Sequence, residues 1–310
     1  MKKIAVIGSF AADLMARTPH LPVPGETVLG SFFKIGPGGK GFNQAVAAWR
    51  AGGHPVLSTM LGNDIFAPLC LDMMRHEGMR MDYVFTHDTA GTAAALISVD
   101  QNTSQNEIVI VPGALNEFGD EEIEKVMPML DGCDYLLVQL EMNIPATEKL
   151  IRIADEMGVK VILNPAPVSS ISDETYTHLW CVTPNEVEAQ ILSGIDGLEE
   201  PKAIAEYFIG KGVRNVILTL GKEGAYLYDG VRESRYSNWD VNVLDTTGAG
   251  DAFNGGLLAA LAKEYSLEDA CVYANIVSNL AVTRMGTSVA MPTEDEIDAF
   301  IQDNGIVFGF

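Results

Sequence analysis

From residue 120 to residue 220 the sequence alternates helical and strand-like runs so regularly that few architectures can accept it. A helical pattern covers Asp120–Leu130, a strand pattern Tyr135–Leu140, a helix Pro145–Met157, and strands Lys160–Leu163, Trp180–Val182 and Val213–Leu220. Such alternation predicts a parallel sheet flanked by helices on both faces, an α/β doubly wound fold. At the amino end, Lys3–Gly8 reads as a first buried strand of that sheet, followed by Asp13. Glu141, Asn164 and Asn185 each follow a strand, which places them at the carboxyl edge where ligands of open α/β sheets bind.

Two glycine turns feed helices. In Asp245-Thr246-Thr247-Gly248-Ala249-Gly250-Asp251-Ala252-Phe253 the apolar residues that follow (Phe253, Leu257, Leu258, Leu261) have helical spacing, so a helix starts near Gly250. Its free N–H groups and positive dipole end suit an oxyanion or phosphate. Asp251, in the first turn, is placed to take a proton from a hydroxyl whose oxygen then attacks phosphorus; an N-terminal cap is the other account of the same residue. The second turn, Gly36-Pro37-Gly38-Gly39-Lys40-Gly41, runs into Phe42-Asn43-Gln44-Ala45 without the spacing of a Walker A loop. Lys40 and Asn43 there offer donors to hydroxyls. Asn185 and Glu188 have the spacing of a capping box, and equally that of a pair organising water around Mg²⁺.

With 42 acidic and 20 basic side chains, the formal charge is −22. This argues against nucleic acid or an anionic membrane as a partner, and requires that an anionic ligand be held by local donors and a metal. Cys70, Cys133, Cys181 and Cys271 are far apart, which fits a reducing cytoplasm and no zinc or disulfide framework. The apolar run after Met1-Lys2-Lys3 is short and Asp13 soon follows, so it reads as a strand and not as a signal peptide. No run approaches a membrane span.

Several segments leave the main alternation. Pro22–Thr27 and the strand-like Val28–Ile35 form an excursion, and Thr92–Val99 with Glu107–Val111 has the signature of a hairpin. The sequon Asn102-Thr103-Ser104 lies between them. Helices are expected over Asp64–Glu77, Gly250–Lys263, Leu267–Thr283 and Thr293–Gln302.

Gly38-Gly39-Lys40-Gly41-x-Asn43-Gln44-Ala45 and Asp245–Phe253 together resemble the two signatures of the ribokinase-like (phosphofructokinase-B type) sugar kinases, a resemblance that spans nearly the whole chain. Pro24-Gly25-Glu26-Thr27, Asn164-Pro165-Ala166-Pro167, Thr183-Pro184-Asn185-Glu186 and Ala281-Val282-Thr283-Arg284 resemble segments of its ribose-phosphorylating members. The resemblance implies one doubly wound, mostly parallel domain over 1–310 with a small β lid from about 14–36 and 92–112, which also forms a homodimer contact. It implies ATP, Mg²⁺ and K⁺ as cofactors, and transfer of the γ-phosphoryl to a primary hydroxyl, ribose becoming ribose 5-phosphate. Asp251 would be the base, with the amides of Gly248, Ala249 and Gly250 as the anion hole. Asp13, Gly39, Lys40, Asn43 and Glu141 would hold the sugar. Asn185, Thr219, Gly221, Gly224 and Asn275 would lie along ATP, and Glu188 would act on Mg²⁺ through water. Asp245 and Thr247, with Ala281, Arg284 and Gly286, would form a monovalent-cation loop.

Two positions depart from that family: Ala11 stands where asparagine is usual, and Ala290 where serine is common near the cation. A sugar hydroxyl loses its partner at position 11, which leaves open another furanose, a nucleoside or a keto-deoxy sugar acid as acceptor. A sugar or nucleotide sensor without turnover is the reading of a different class, opposed by Asp251 and the intact glycine turn. A dinucleotide-dependent dehydrogenase lacks its G-x-G-x-x-G after the first strand.

Overall fold

Runs such as Ile4-Ala5-Val6-Ile7 and Leu136-Leu137-Val138 are apolar at every position, as strands covered on both faces must be. In the computed structural model, which describes residues 1–103, 105–195 and 201–309, both lie in the middle of a nine-stranded sheet. The chain begins with β1 (Ile4–Ile7), leaves for β2 (Ala11–Thr18) and β3 (Phe32–Gly38), and returns through α1 (Lys40–Arg50) to β4 (Val56–Gly62). After α2 (Ala67–Glu77) and β5 (Val84–His87) it leaves again as β6 (Ala94–Asp100) and β7 (Asn106–Val111).

The regular alternation follows: α3 (Asp120–Leu130), β8 (Tyr135–Val138), α4 (Ile144–Glu156), β9 (Lys160–Leu163), α5 (Asp173–Thr177), β10 (Cys181–Val182), α6 (Glu186–Ser193), α7 (Pro201–Gly210) and β11 (Asn215–Thr219). An antiparallel edge, β12 (Ala225–Tyr228) and β13 (Glu233–Tyr236), precedes α8 (Ala249–Ala262), α9 (Leu267–Ala281) and α10 (Glu294–Asp303).

The sheet order is β13-β12-β11-β10-β9-β8-β1-β4-β5, and every pairing from β11 to β5 is parallel. The chain therefore moves outward from β1 on one side and from β8 on the other. The carboxyl ends of β1 and β8 flank the point where strand order reverses, the place where such sheets bind ligands. Alternation along β1 sends Ile4 and Val6 into the core beneath α1, α8 and α9, and Ala5 and Ile7 into the core beneath α3, α4 and α7. Helices thus cover both faces, as the doubly wound fold class requires.

β3-β2-β6-β7 form a separate four-stranded sheet, parallel only between β2 and β6. Two expectations change here. Asp13 does not hang from the end of β1 but is the third residue of β2, because Gly8-Ser9-Phe10 joins the two strands directly and pairing with β3 and β6 makes the following residues a strand. The strand expected at Val28–Ile35 lies at Phe32–Gly38, where pairing with β2 fixes its register and carries it through Gly36 and Pro37. Across this sheet Ile35, Leu14, Leu96 and Val109 stand in one row, with Ile35, Leu96 and Val109 exposed. α7 was not anticipated. Ser104 of the sequon lies outside the described residues. All four cysteines are free and buried, and among the described residues no helix is long and apolar enough to cross a membrane.

Candidate active site

The site forms where the first turns of α1 and α8 face each other. The two helices can approach because Gly255 of α8 has no side chain: a Cβ there would sit 2.4 Å from the Ala47 Cβ and 2.6 Å from the Gln44 carbonyl oxygen. That approach brings the residues after each glycine turn into contact. Asp251 is buried, with Asn43 Nδ2 donating to its Oδ2 and Gln44 Nε2 to its Oδ1, both at 2.9 Å.

Beyond β8, Glu141 receives the backbone N–H of Lys40 at 2.9 Å and the Ser9 hydroxyl on the same oxygen. The Gly41 amide in turn donates to Ser9 Oγ at 3.3 Å. A carboxylate at the switch point thus caps α1, and no donor among the described residues takes its other oxygen. Burial raises the pKa of Glu141, opposed by the Lys40 charge and these hydrogen bonds. The Asp13 carboxylate accepts no hydrogen bond among the described residues. Burial, and then repulsion from Glu141 and Asp251, push its pKa from 3.8 to about 7. Burial works against the Lys40 ammonium, but Asp251, Glu141 and Glu188 together raise its pKa, so it stays charged. Asn43 Oδ1 is buried without a partner.

At the opposite wall, Gly248 caps α8 at φ +79°, a backbone conformation that favours glycine. No described acceptor takes the N–H of Gly248 or Gly250, but that of Ala249 donates to the Thr246 carbonyl at 3.1 Å. The turn thus presents two amides that no described acceptor takes, and a third, that of Ala249, that also closes the turn. Lys40, Asn164, Asn185, Glu188, Thr219 and the 246–251 turn are among the residues lining a cleft with 480 Å³ of empty volume, part of it open to solvent.

Asn185 and Glu188 do form the reciprocal capping box, Glu188 Oε2 accepting the Asn185 N–H and Asn185 Oδ1 the Glu188 N–H, both at 2.9 Å. Burial raises the Glu188 pKa, opposed by that hydrogen bond and by Lys40. Gly221 and Gly224 shape the turn after β11, where the Gly221 carbonyl accepts Asn238 Nδ2 at 2.7 Å. Asn275 is buried with its Nδ2 on the Tyr236 carbonyl at 2.9 Å, so it braces the 236–238 segment. Asp245 accepts the Thr247 amide at 2.9 Å and the Gly286 amide at 3.0 Å, tying the two halves of the expected cation loop together. The Ala281 carbonyl accepts the Arg284 amide at 3.1 Å, and the Arg284 guanidinium pairs with Glu296.

Ser9, Gln44, Gln139, Thr183 and Asn254 were not singled out from the sequence. Gln44 adjoins Asn43 within the same motif, and Thr183 directly follows a strand, so those two carried a signal; the others did not.

The description pfkB family carbohydrate kinase matches residues 1–294. The chain belongs to the pfkB family of carbohydrate kinases. This pfkB kinase is 34% identical over 303 residues to a ribokinase of Haemophilus influenzae, covering 97% of this chain and 99% of that one. It is also 34% identical over 305 residues to a deoxyribokinase of Salmonella typhimurium, covering 97% and 99%. Its fold matches the structure of Arabidopsis thaliana ribokinase complexed with ribose and ATP at TM-score 0.89 and 26% identity, covering 97% and 99%. For a pfkB carbohydrate kinase the layout has a direct chemical sense. Asp13 lies near enough to Glu141 and Asp251 for their charges to act on it, while Lys40, the α8 turn, Glu188 and Thr219 line the cleft that Asp251 also borders.

Proposed function

We propose that this carbohydrate kinase transfers the γ-phosphoryl of ATP to the primary hydroxyl of ribose, giving ribose 5-phosphate. The observation that carries the reading is the Asp251 carboxylate, held by Asn43 and Gln44 at the amino end of α8 beside two free amides. Asp251 takes the proton of the attacking hydroxyl while the Gly248 and Gly250 amides and Lys40 receive the charge on the transferred group. Asp13, Glu141 and Asn43 orient the sugar hydroxyl toward Asp251.

One Glu188 oxygen is taken by the capping box, and the other remains for water of a hydrated Mg²⁺. When bound, that ion neutralises the phosphate charge. The Asp245 loop, already joined to Gly286, is the place we assign to K⁺ as an activator. The exposed row Ile35, Leu96 and Val109 lies on the lid face opposite Asp13 by strand alternation, and a homodimer through that face would bury it. No helix among the described residues is built to cross a membrane, and buried free thiols suit the cytoplasm, where we place the enzyme.

A specific residue favours a second acceptor. Ala11 begins β2 two residues before Asp13, and its methyl cannot hydrogen-bond a hydroxyl; a deoxyribose such as 2-deoxyribose, the kind of sugar in the name of the Salmonella deoxyribokinase, has one hydroxyl fewer than ribose. The test is product formation from MgATP with ribose, 2-deoxyribose, other furanoses, nucleosides and keto-deoxy sugar acids. Ribose or 2-deoxyribose should give the highest kcat/KM. Binding of sugar and ATP with no phosphorylated product from any of them would leave a sensor.

A further inference from the structure

We propose that Gln44 is a positioning residue for phosphoryl transfer: it orients the Asp251 carboxylate and ties it to the ends of three central strands. The proposal rests on the kinase reading above, with Asp251 as the base.

The argument begins at a backbone oxygen, which can only accept. The Thr183 carbonyl, just beyond β10, takes Asn164 Nδ2 at 3.1 Å. That fixes which way the Asn164 amide faces, so its Oδ1 must accept, and Gln44 Nε2 donates to it at 3.0 Å. The Gln44 amide is thereby fixed as well: its second N–H meets Asp251 Oδ1 at 2.9 Å, and its Oε1 accepts Gln139 Nε2 at 2.6 Å. Every amide in this chain has one permitted orientation, set from the scaffold outward. The Thr183 hydroxyl donates to Asn254 Oδ1 at 2.6 Å, and Asn254 Nδ2 to the Gly250 carbonyl at 2.9 Å, so the same network also grips the first turn of α8.

Gln44 is fully buried, and both amide hydrogens and the amide oxygen are spent on Asn164, Asp251 and Gln139, so it has none left for a substrate and reaches the reaction through Asp251. Asn43 holds Oδ2 and Gln44 holds Oδ1, so the carboxylate is fixed at both edges and cannot turn about its own axis. A base free to rotate would spend most of its time out of line with the attacking hydroxyl.

Two variants of nearly equal size test this: Gln44→Met, which removes the donor, and Gln44→Glu, which puts a second carboxyl against Oδ1. Steady-state kinetics with the accepted sugar, over a range of pH and beside melting curves, give the readout. For Gln44→Met kcat should fall about 10–100-fold with both KM values within about twofold of wild type, because Gln44 has no hydrogen-bonding group left for either ligand. For Gln44→Glu two carboxyls share a proton, and the acid limb of kcat should move up by about one pH unit or more. A fall in kcat that tracks lost folded protein, or equal changes in kcat and KM with an unmoved acid limb, would reduce Gln44 to a structural residue. Unchanged kcat would overturn the proposal outright. If Gln44→Met does not fold, the acid limb of Gln44→Glu decides alone. Absence of any turnover by the wild-type protein would instead count against the kinase reading.

Discussion

Asn43 Nδ2 donates to Asp251 Oδ2 at 2.9 Å across 208 positions of chain, while the Oδ1 of the same amide is buried without a partner among the described residues. An orphaned acceptor inside a protein is costly, on the order of 1–3 kcal/mol. Its place beside the base gives it a use, since a sugar hydroxyl can donate there as its neighbour hydroxyl loses a proton to Asp251.

Sugar capture should depend on ionised Asp13. Its pKa of about 7 means that kcat/KM for the sugar falls about tenfold for each unit below about pH 7. The pH dependence of kcat/KM at saturating ATP checks this, and a profile flat down to pH 5 would contradict it.

The same residue should lower stability. The folded protein holds the Asp13 proton up to about 7, whereas the unfolded chain releases it near 3.8. Between those values the folded state binds more protons, so the Asp13 contribution falls as pH rises and remains unfavourable above about 7. Asp13→Asn should therefore melt higher than wild type at pH 8, by about 2 °C for each kcal/mol relieved, with the difference shrinking toward pH 4. Sugar phosphorylation by that variant should drop at least about 100-fold.

Glu188→Gln keeps the hydrogen-bonding shape of the capping box but removes the charge. The Mg²⁺ concentration for half-maximal rate should rise about tenfold, with folding unchanged and the sugar KM unaffected. A rate limited equally at all Mg²⁺ concentrations would show that Glu188 serves only the helix.

Leu96→Asp places a charge in the exposed apolar row of the lid. Sedimentation should show wild-type dimers and variant monomers, since a buried unpaired carboxylate costs several kcal/mol. Wild-type monomers at micromolar concentration would remove the lid contact from the account.

Much of this was legible in sequence because glycine turns and apolar runs are local signals. β1, β8, β9 and both helix starts follow from patterns within ten residues. The start of β2 did not, because Ala11 and Ala12 are weak strand formers and only pairing with β3 and β6 makes Ala11–Thr18 a strand. The bond that takes the Ala249 amide depends on how its turn closes, which glycine spacing does not reveal. The roles of Gln44 and Gln139 were hidden for a different reason. Their meaning lies in amide orientations set by residues more than 90 positions away.

The central claim is that Asp251 removes the proton while the rest of the site binds. The most direct measurement is single-turnover phosphorylation by Asp251→Asn, alongside calorimetric binding of the sugar and ATP. Asparagine keeps the size of the side chain and one acceptor for the Asn43 and Gln44 donors. The account predicts a rate about 10²–10⁴-fold below wild type with both affinities retained within a few-fold. A variant that phosphorylates sugar at close to the wild-type rate would contradict it.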